Sequence, residues 1–411
     1  MRTLILAQLL LCSSGLLMSQ ASAQDLKRAD VIHWWTSASE AKSIKVIADA
    51  FKAAGGEWVD AAVAGTDAAK AAAATRIQAG DPPAAVVYNS VKDIDDLVAN
   101  GQITNLDDVA ASGKWKANMP AAILSAITRD GHIYGAPINL GVNNYLWSSP
   151  IALAKIGVTE PPKTWDEFFA AGDKLKQAGI IPFAQSGMWY WYLMTFGNVL
   201  ATQSADAYTK FHMMDPTVFD MPQFRKAVEI FARLRDYSDP GVSGREWNAS
   251  NSMIIRGEAA FQLMGDWAKG EILAAGKVPG KDVLCTVGLD NSPVSISGDV
   301  FAFPANTNAD TVAAQKLLAE VVTTPAVQLA YSETKGSLPV RTDVEGAKFD
   351  TCAQIALDQE AAHSSVPGYP VLLSPDAAGS IADVLGNFWV DTSASGDDLI
   401  GQLQDAFSSL R

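Results

Sequence analysis

Two adjacent tryptophans, Trp34 and Trp35, follow the short apolar run Val31-Ile32-His33, and Glu40 lies five residues beyond the pair. Indole faces stack on apolar C–H faces and give large contact area at small entropic cost. A carboxylate close by accepts hydrogen bonds from hydroxyls. This combination suits a ring that is apolar on its faces and polar at its rim, as a carbohydrate is. Two indoles packed in a core are the competing reading. The small polar residues Thr36, Ser37 and Ser39 favour a strand-to-helix turn opening into a cleft. Ligands of α/β sheets bind at such carboxyl-end turns. Glu40 also fits as the capping partner of Ser37, a role that needs no ligand.

Further along, Asp299 precedes the apolar strand Val300-Phe301-Ala302-Phe303 and reads equally as a turn residue or a cleft acceptor. Lys335, in the rigid turn Lys335-Gly336-Ser337-Leu338-Pro339, points into a cleft or into water, and Lys92 poses the same choice. Trp267 follows Met264-Gly265-Asp266, where a glycine permits close backbone approach, and it forms either an opposing wall or core.

The elements around these residues alternate. Residues 30–34 read as a strand. Ser37 to Glu40 is a capping box opening a helix whose apolar face is Ile44, Ile47, Ala48 and Phe51, stopped by Gly55-Gly56. An Ala-rich helix over 68–79 ends at Gly80-Asp81-Pro82-Pro83. A buried strand over 84–88 and a short helix over 93–100 follow. This order predicts an α/β lobe with a largely parallel sheet. Thr164 caps a helix running to Gln177, and residues 188–267 read as largely helical. Helices are expected over 311–322 and from Thr324-Pro325, and the tail 374–411 should be helical and pack on a second lobe.

Met1 to Ala23 has one arginine, an apolar run and the small-residue site Ala21-Ser22-Ala23, the pattern of a cleaved export signal. The run is too short to span a bilayer. Removal leaves 411 − 23 = 388 residues, enough for two lobes. The whole chain carries 31 − 45 = −14, and without the Arg of the signal 30 − 45 = −15, which argues against nucleic acid and anionic membrane as partners. His33, His132, His212 and His363 are scattered, so no metal site is expected. Cys285 and Cys352 are positioned to pair in an oxidising compartment or to stay as buried thiols. The bond would close a loop of 352 − 285 = 67 residues, worth about 4 kcal/mol by chain-entropy reasoning.

Taken together, these segments resemble the periplasmic sugar-binding proteins of bacterial ABC importers, family 1 of the extracellular solute-binding proteins, glucose/mannose-binding type. The resemblance spans nearly the whole mature chain. It rests on Trp34-Trp35 with Glu40, residues 78–83, Tyr134-Gly135-Ala136-Pro137, Thr164-Trp165-Asp166-Glu167-Phe168, Met264-Gly265-Asp266-Trp267, Gly298-Asp299-Val300-Phe301 and the Lys335–Arg341 segment. It implies an α/β fold of two lobes (type II-like) joined by several hinge crossovers. The N-terminal lobe would hold 24–136 and about 302–345, the C-terminal lobe 137–301 and about 346–411. It implies stacking by Trp34, Trp35 and Trp267, and hydroxyl contacts from Glu40, Lys92, Asp299 and Lys335. It also places Cys285 and Cys352 where this subgroup has cysteines. The implied protein is a periplasmic monomer without a cofactor that passes a carbohydrate to a membrane permease.

Two departures bear on the sugar. A His-Gly-Gly segment of glucose-type relatives is replaced by Gln185-Ser186-Gly187-Met188-Trp189, and a late histidine by Val371, with His363 eight residues earlier. A pocket that changes its polar partners recognises a different hydroxyl rim. The competing class is a secreted glycoside hydrolase, with Glu40 and Asp299 as two carboxyl groups about 5 to 10 Å apart. A capping glutamate is poorly placed as a tuned acid, and no hydrolase motif accompanies it.

Overall fold

The computed structural model describes residues 27–345 and 348–410. The expected export signal, 1–23, lies outside the described residues.

A five-stranded sheet runs in the order Gly56–Ala62, Lys27–His33, Ala85–Tyr88, Val300–Ala302, Ala136–Pro137. The first three strands are parallel, and Val300–Ala302 is antiparallel to both of its neighbours. Helix Ala38–Ala53 packs Ile44, Ile47 and Phe51 into this lobe's core. Its capping box forms as the sequence dictates: Ser37 Oγ accepts from Glu40 N, and Glu40 returns to Ser37 N. Helices Ala309–Val322 and Pro325–Lys335 complete the lobe. The sheet reaches back to Val300, and its core also takes in Ile138. Backbone pairing with Tyr88 and Val87 fixes Val300 and Phe301 to this sheet.

The second lobe is built on a mixed sheet ordered Leu284–Val287, Tyr145–Ser148, Ala259–Met264, Ile181–Phe183. Its largest core joins helix Trp165–Gln177, helix Trp189–Gln203, helix Pro222–Asp236 and the two C-terminal helices Pro375–Val390 and Gly396–Ser409. The expected helical stretch 188–267 is interrupted. Ala259–Met264 is an inner strand, buried at every position, so its apolar run carries no alternation to mark it. A small sheet of Ser365–Pro367, Val294–Ser297 and Gly141–Val142 lies beside the lobe junction.

The chain passes between lobes at Ile138–Gly141, at Ser297–Val300 and beyond Leu338, whose backbone pairs with Leu140 in both directions. Cys285 and Cys352 are bonded, with Cα atoms 5.9 Å apart, and tie helix Thr351–His363 to the edge strand Leu284–Val287. Reduction is expected to lower stability by about 4 kcal/mol, the entropy released to a 67-residue loop. Calorimetric melting with and without reductant measures this, and superimposable curves would show that the bond contributes nothing.

Candidate functional site

The carboxyl ends of strands Lys27–His33 and Ala85–Tyr88 open onto a cleft of about 950 Å³ between the lobes. Trp34, Trp35, Glu40, Asp299 and Lys335 line it from one side and Trp267 from the other. Lys92 does not line it. Its place is taken by Lys70, on helix Thr66–Gln78, which pairs with Asp93 (3.0 Å) and lies 5.9 Å from the Trp34 ring centroid.

The two indoles have different surroundings. Adjacent side chains of an extended segment point in opposite directions. Trp35 is 2% exposed, sits in the first lobe's core and packs against Tyr331 with ring centroids 6.2 Å apart. Trp34 is half-buried and packs edge-on against Trp35. His33, the residue before them, is a satisfied core histidine. Trp35 N donates to its Nδ1, leaving Nε2 to donate to Asp60.

Glu40 caps the helix and also lines the cleft. One oxygen accepts from Ser37 N (3.2 Å), and the residue lines the cleft. Burial pushes its carboxyl above the usual range and Glu271 adds to this, while the Lys335 charge and the Ser37 hydrogen bonds oppose it. Asp299 is positioned by its neighbours: its backbone N donates to Asn139 Oδ1 (2.7 Å), and Oδ1 accepts from Asn89 Nδ2 (3.3 Å). Its carboxyl is likewise raised by burial against the pull of Lys335. Lys335 ends helix Pro325–Lys335, 5% exposed, with Nζ 4.9 Å from the Trp35 ring centroid. Among the described residues Nζ is in no ion pair, and Lys335 lines the cleft.

Trp267 stands on the turn after strand Ala259–Met264, tilted against Trp191 at 5.9 Å. Gly265 is required beneath it, because a Cβ there would lie 2.1 Å from the indole. Hydrogen bonds also run between the lobes. Ser39 Oγ donates to Glu271, and Ser90 Oγ donates to Pro370 O (2.8 Å).

Two of the expected specificity positions lie elsewhere. Gln185 is buried outside the cleft, its amide spent on Thr195 and Ser186, and Val371 does not line the cleft. His363 is exposed. The cleft instead extends past Tyr190 and Trp191 to Asn198, Tyr208, His212 and Tyr369. Burial holds the His212 imidazole down at about 4, so it is neutral at physiological pH. Among these residues only the aromatic cluster 189–192, opening an apolar helix, had a signal in the sequence. The described residues include no group of three or more His, Cys, Asp or Glu side chains able to hold a metal ion.

The profile of bacterial extracellular solute-binding proteins matches residues 46–355. A probable sugar-binding periplasmic protein of Brucella suis is 37% identical over 342 residues, covering 82% of this chain and 80% of its own. One of Mesorhizobium japonicum is 35% identical over 405 residues, covering 95% and 96%. Among solved structures, a chitin oligosaccharide binding protein superposes with a TM-score of 0.81 at 20% identity, covering 94% of this chain and 99% of its own. Maltose-bound T. maritima MalE3 gives 0.79 at 16% identity, covering 93% and 100%. The chain is a two-lobed α/β protein and belongs to the family of bacterial extracellular solute-binding proteins.

Proposed function

We propose that this protein captures a sugar in the periplasm and delivers it to the permease of an ABC importer, without chemical turnover. The observation that carries this reading is the cleft itself: Trp34 and Trp267 face it from opposite lobes, beside the buried polar set Glu40, Asp299 and Lys335. The indoles supply stacking surface, the two carboxyl groups accept from hydroxyls and Lys335 donates. Relatives named probable sugar-binding periplasmic proteins support it. Closure then follows from the sugar's higher affinity for the closed state.

The ligand is glucose- or mannose-like at the tryptophan end. A cleft of about 950 Å³ is near the top of the 300–1,000 Å³ usual for small-molecule sites and leaves room for a second ring beside Tyr369 and Asn198. Calorimetric titration with glucose, mannose, maltose and cellobiose is expected to give heat, with at least one disaccharide bound about tenfold tighter than its monosaccharide. Silence across a wide panel of sugars would reject sugar capture. Mass spectrometry after prolonged incubation with the disaccharides should recover them intact, and released monosaccharide would point to the hydrolase.

A further inference from the structure

The turn Gly265-Asp266-Trp267 lies where the lobe crossovers converge. Asp266 N donates to Val142 O (2.8 Å) and its Oδ2 accepts from Val142 N (2.9 Å), so one aspartate holds both main-chain groups of a residue just past the first crossover. Gly141 lies against its other oxygen: a Cβ there would be 3.5 Å from Oδ1 and equally far from the Ser297 carbonyl of the second crossover. A Cβ on Gly336, leading into the third, would be 3.2 Å from the Asp266 carbonyl. Asp266 is 1% exposed, and Oδ1 has no hydrogen-bond partner. The next residue is Trp267, the cleft wall.

The charged groups around it come from several elements. Lys269, three residues on, is committed to Asp350 at 3.0 Å, and Lys335 approaches from helix Pro325–Lys335. Asp299 contributes like charge from the second crossover, and the phenols of Tyr145 and Tyr331 feel the Asp266 carboxylate. Burial outweighs the two lysines and the Val142 hydrogen bond, and Asp299 reinforces it, raising the carboxyl to about 7.

We infer that Asp266 is a positioning residue that couples closure of the lobes, and with it sugar affinity, to uptake of a proton. The inference rests on sugar capture as the function. Opening the lobes about the paired crossovers draws Gly336 and the end of helix Pro325–Lys335 away from the Asp266 turn and lets water reach the carboxylate, favouring the ionised form. Closing them buries it again, favouring the acid. A ligand that selects the closed state therefore binds with proton uptake, and its affinity falls as pH rises.

The test is titration of the full mature chain with glucose and with maltose at pH 6, 7 and 8, in buffers of different ionisation enthalpy. Wild type should take up a fraction of a proton at pH 7 and lose affinity about tenfold from pH 6 to 8. Asp266→Asn keeps an acceptor for Val142 N and should bind at all three pH values with the wild-type affinity of pH 6. Asp266→Leu, without that acceptor, should lose affinity at every pH. A pH slope retained in Asp266→Asn would assign the proton to Glu40 or Asp299 and overturn the inference, as would a flat wild-type profile. Heat from neither sugar at any pH would instead fail the sugar reading and the coupling with it.

Discussion

Trp34→Ala and Trp35→Ala are expected to fail in opposite ways, although the residues are adjacent. Trp35 is buried in the first lobe's core between Trp34, Tyr331 and Lys335. Removing its indole leaves a cavity that the sheet and helix around it cannot collapse to fill, at a cost of about 3–5 kcal/mol. Trp34 is half-buried and faces the cleft, with Lys70 at its ring. Its truncation exposes little core and should change stability by about 1 kcal/mol or less. Its indole face, in contrast, is stacking surface offered to a sugar from that lobe. Losing it should weaken binding about a hundredfold, or about 3 kcal/mol. Melting curves and titrations of both variants separate the two effects. Affinity of Trp34→Ala within about threefold of wild type would remove it from the ligand surface. An unchanged melting temperature for Trp35→Ala would show that its burial contributes nothing to the fold.

This difference also shows what a sequence can and cannot convey. Local signals were legible because they are local: Ser37 with Glu40, Thr164 with Glu167 and the βα alternation of residues 27–88 all form where short-range chemistry requires them. The Trp34-Trp35 pair was legible as a pair. Its division into one core residue and one cleft residue depends on which way the strand Lys27–His33 leaves the sheet, and that is a tertiary fact. In the sequence Glu40 offers a choice between capping and facing the cleft. A carboxylate has two oxygens, and the turn geometry allows both roles at once. Lys92 and Lys70 are exchanged for a similar reason. Lys70 sits on an Ala-rich helix with no amphipathic pattern to show which face looks inward. The strand Ala259–Met264 was hidden by its own burial, since a segment covered on both faces has no polar alternation. The far end of the cleft, around Asn198, Tyr208 and Tyr369, is assembled from positions up to 171 residues apart (369 − 198), and no spacing within the chain announces it.

Lys335→Met should make the stability of the molecule more sensitive to pH. Lys335 is buried beside the Trp35 ring, and its charge restrains Glu40, Asp299 and Asp266, each of which burial raises. An acid whose folded pKa lies above its unfolded value contributes full stability below the unfolded value, near 4. It loses that stability as pH climbs to the folded value, because the unfolded chain ionises first. For Asp266 the window runs from about 4 to about 7. Removing the lysine raises the folded values of all three acids further and extends the loss to higher pH. Wild type and variant should therefore melt at similar temperatures near pH 4 and diverge steadily above it, with the variant weaker by about 3 kcal/mol at pH 8, the cost of leaving buried carboxylates uncompensated. The same substitution removes a donor from the cleft, so sugar affinity at pH 7 should fall about a hundredfold. Melting curves of the two proteins across pH 4 to 8 decide the electrostatic part. Parallel curves would mean that Lys335 serves the ligand alone, and that the three carboxyl groups are held by their hydrogen bonds rather than by its charge.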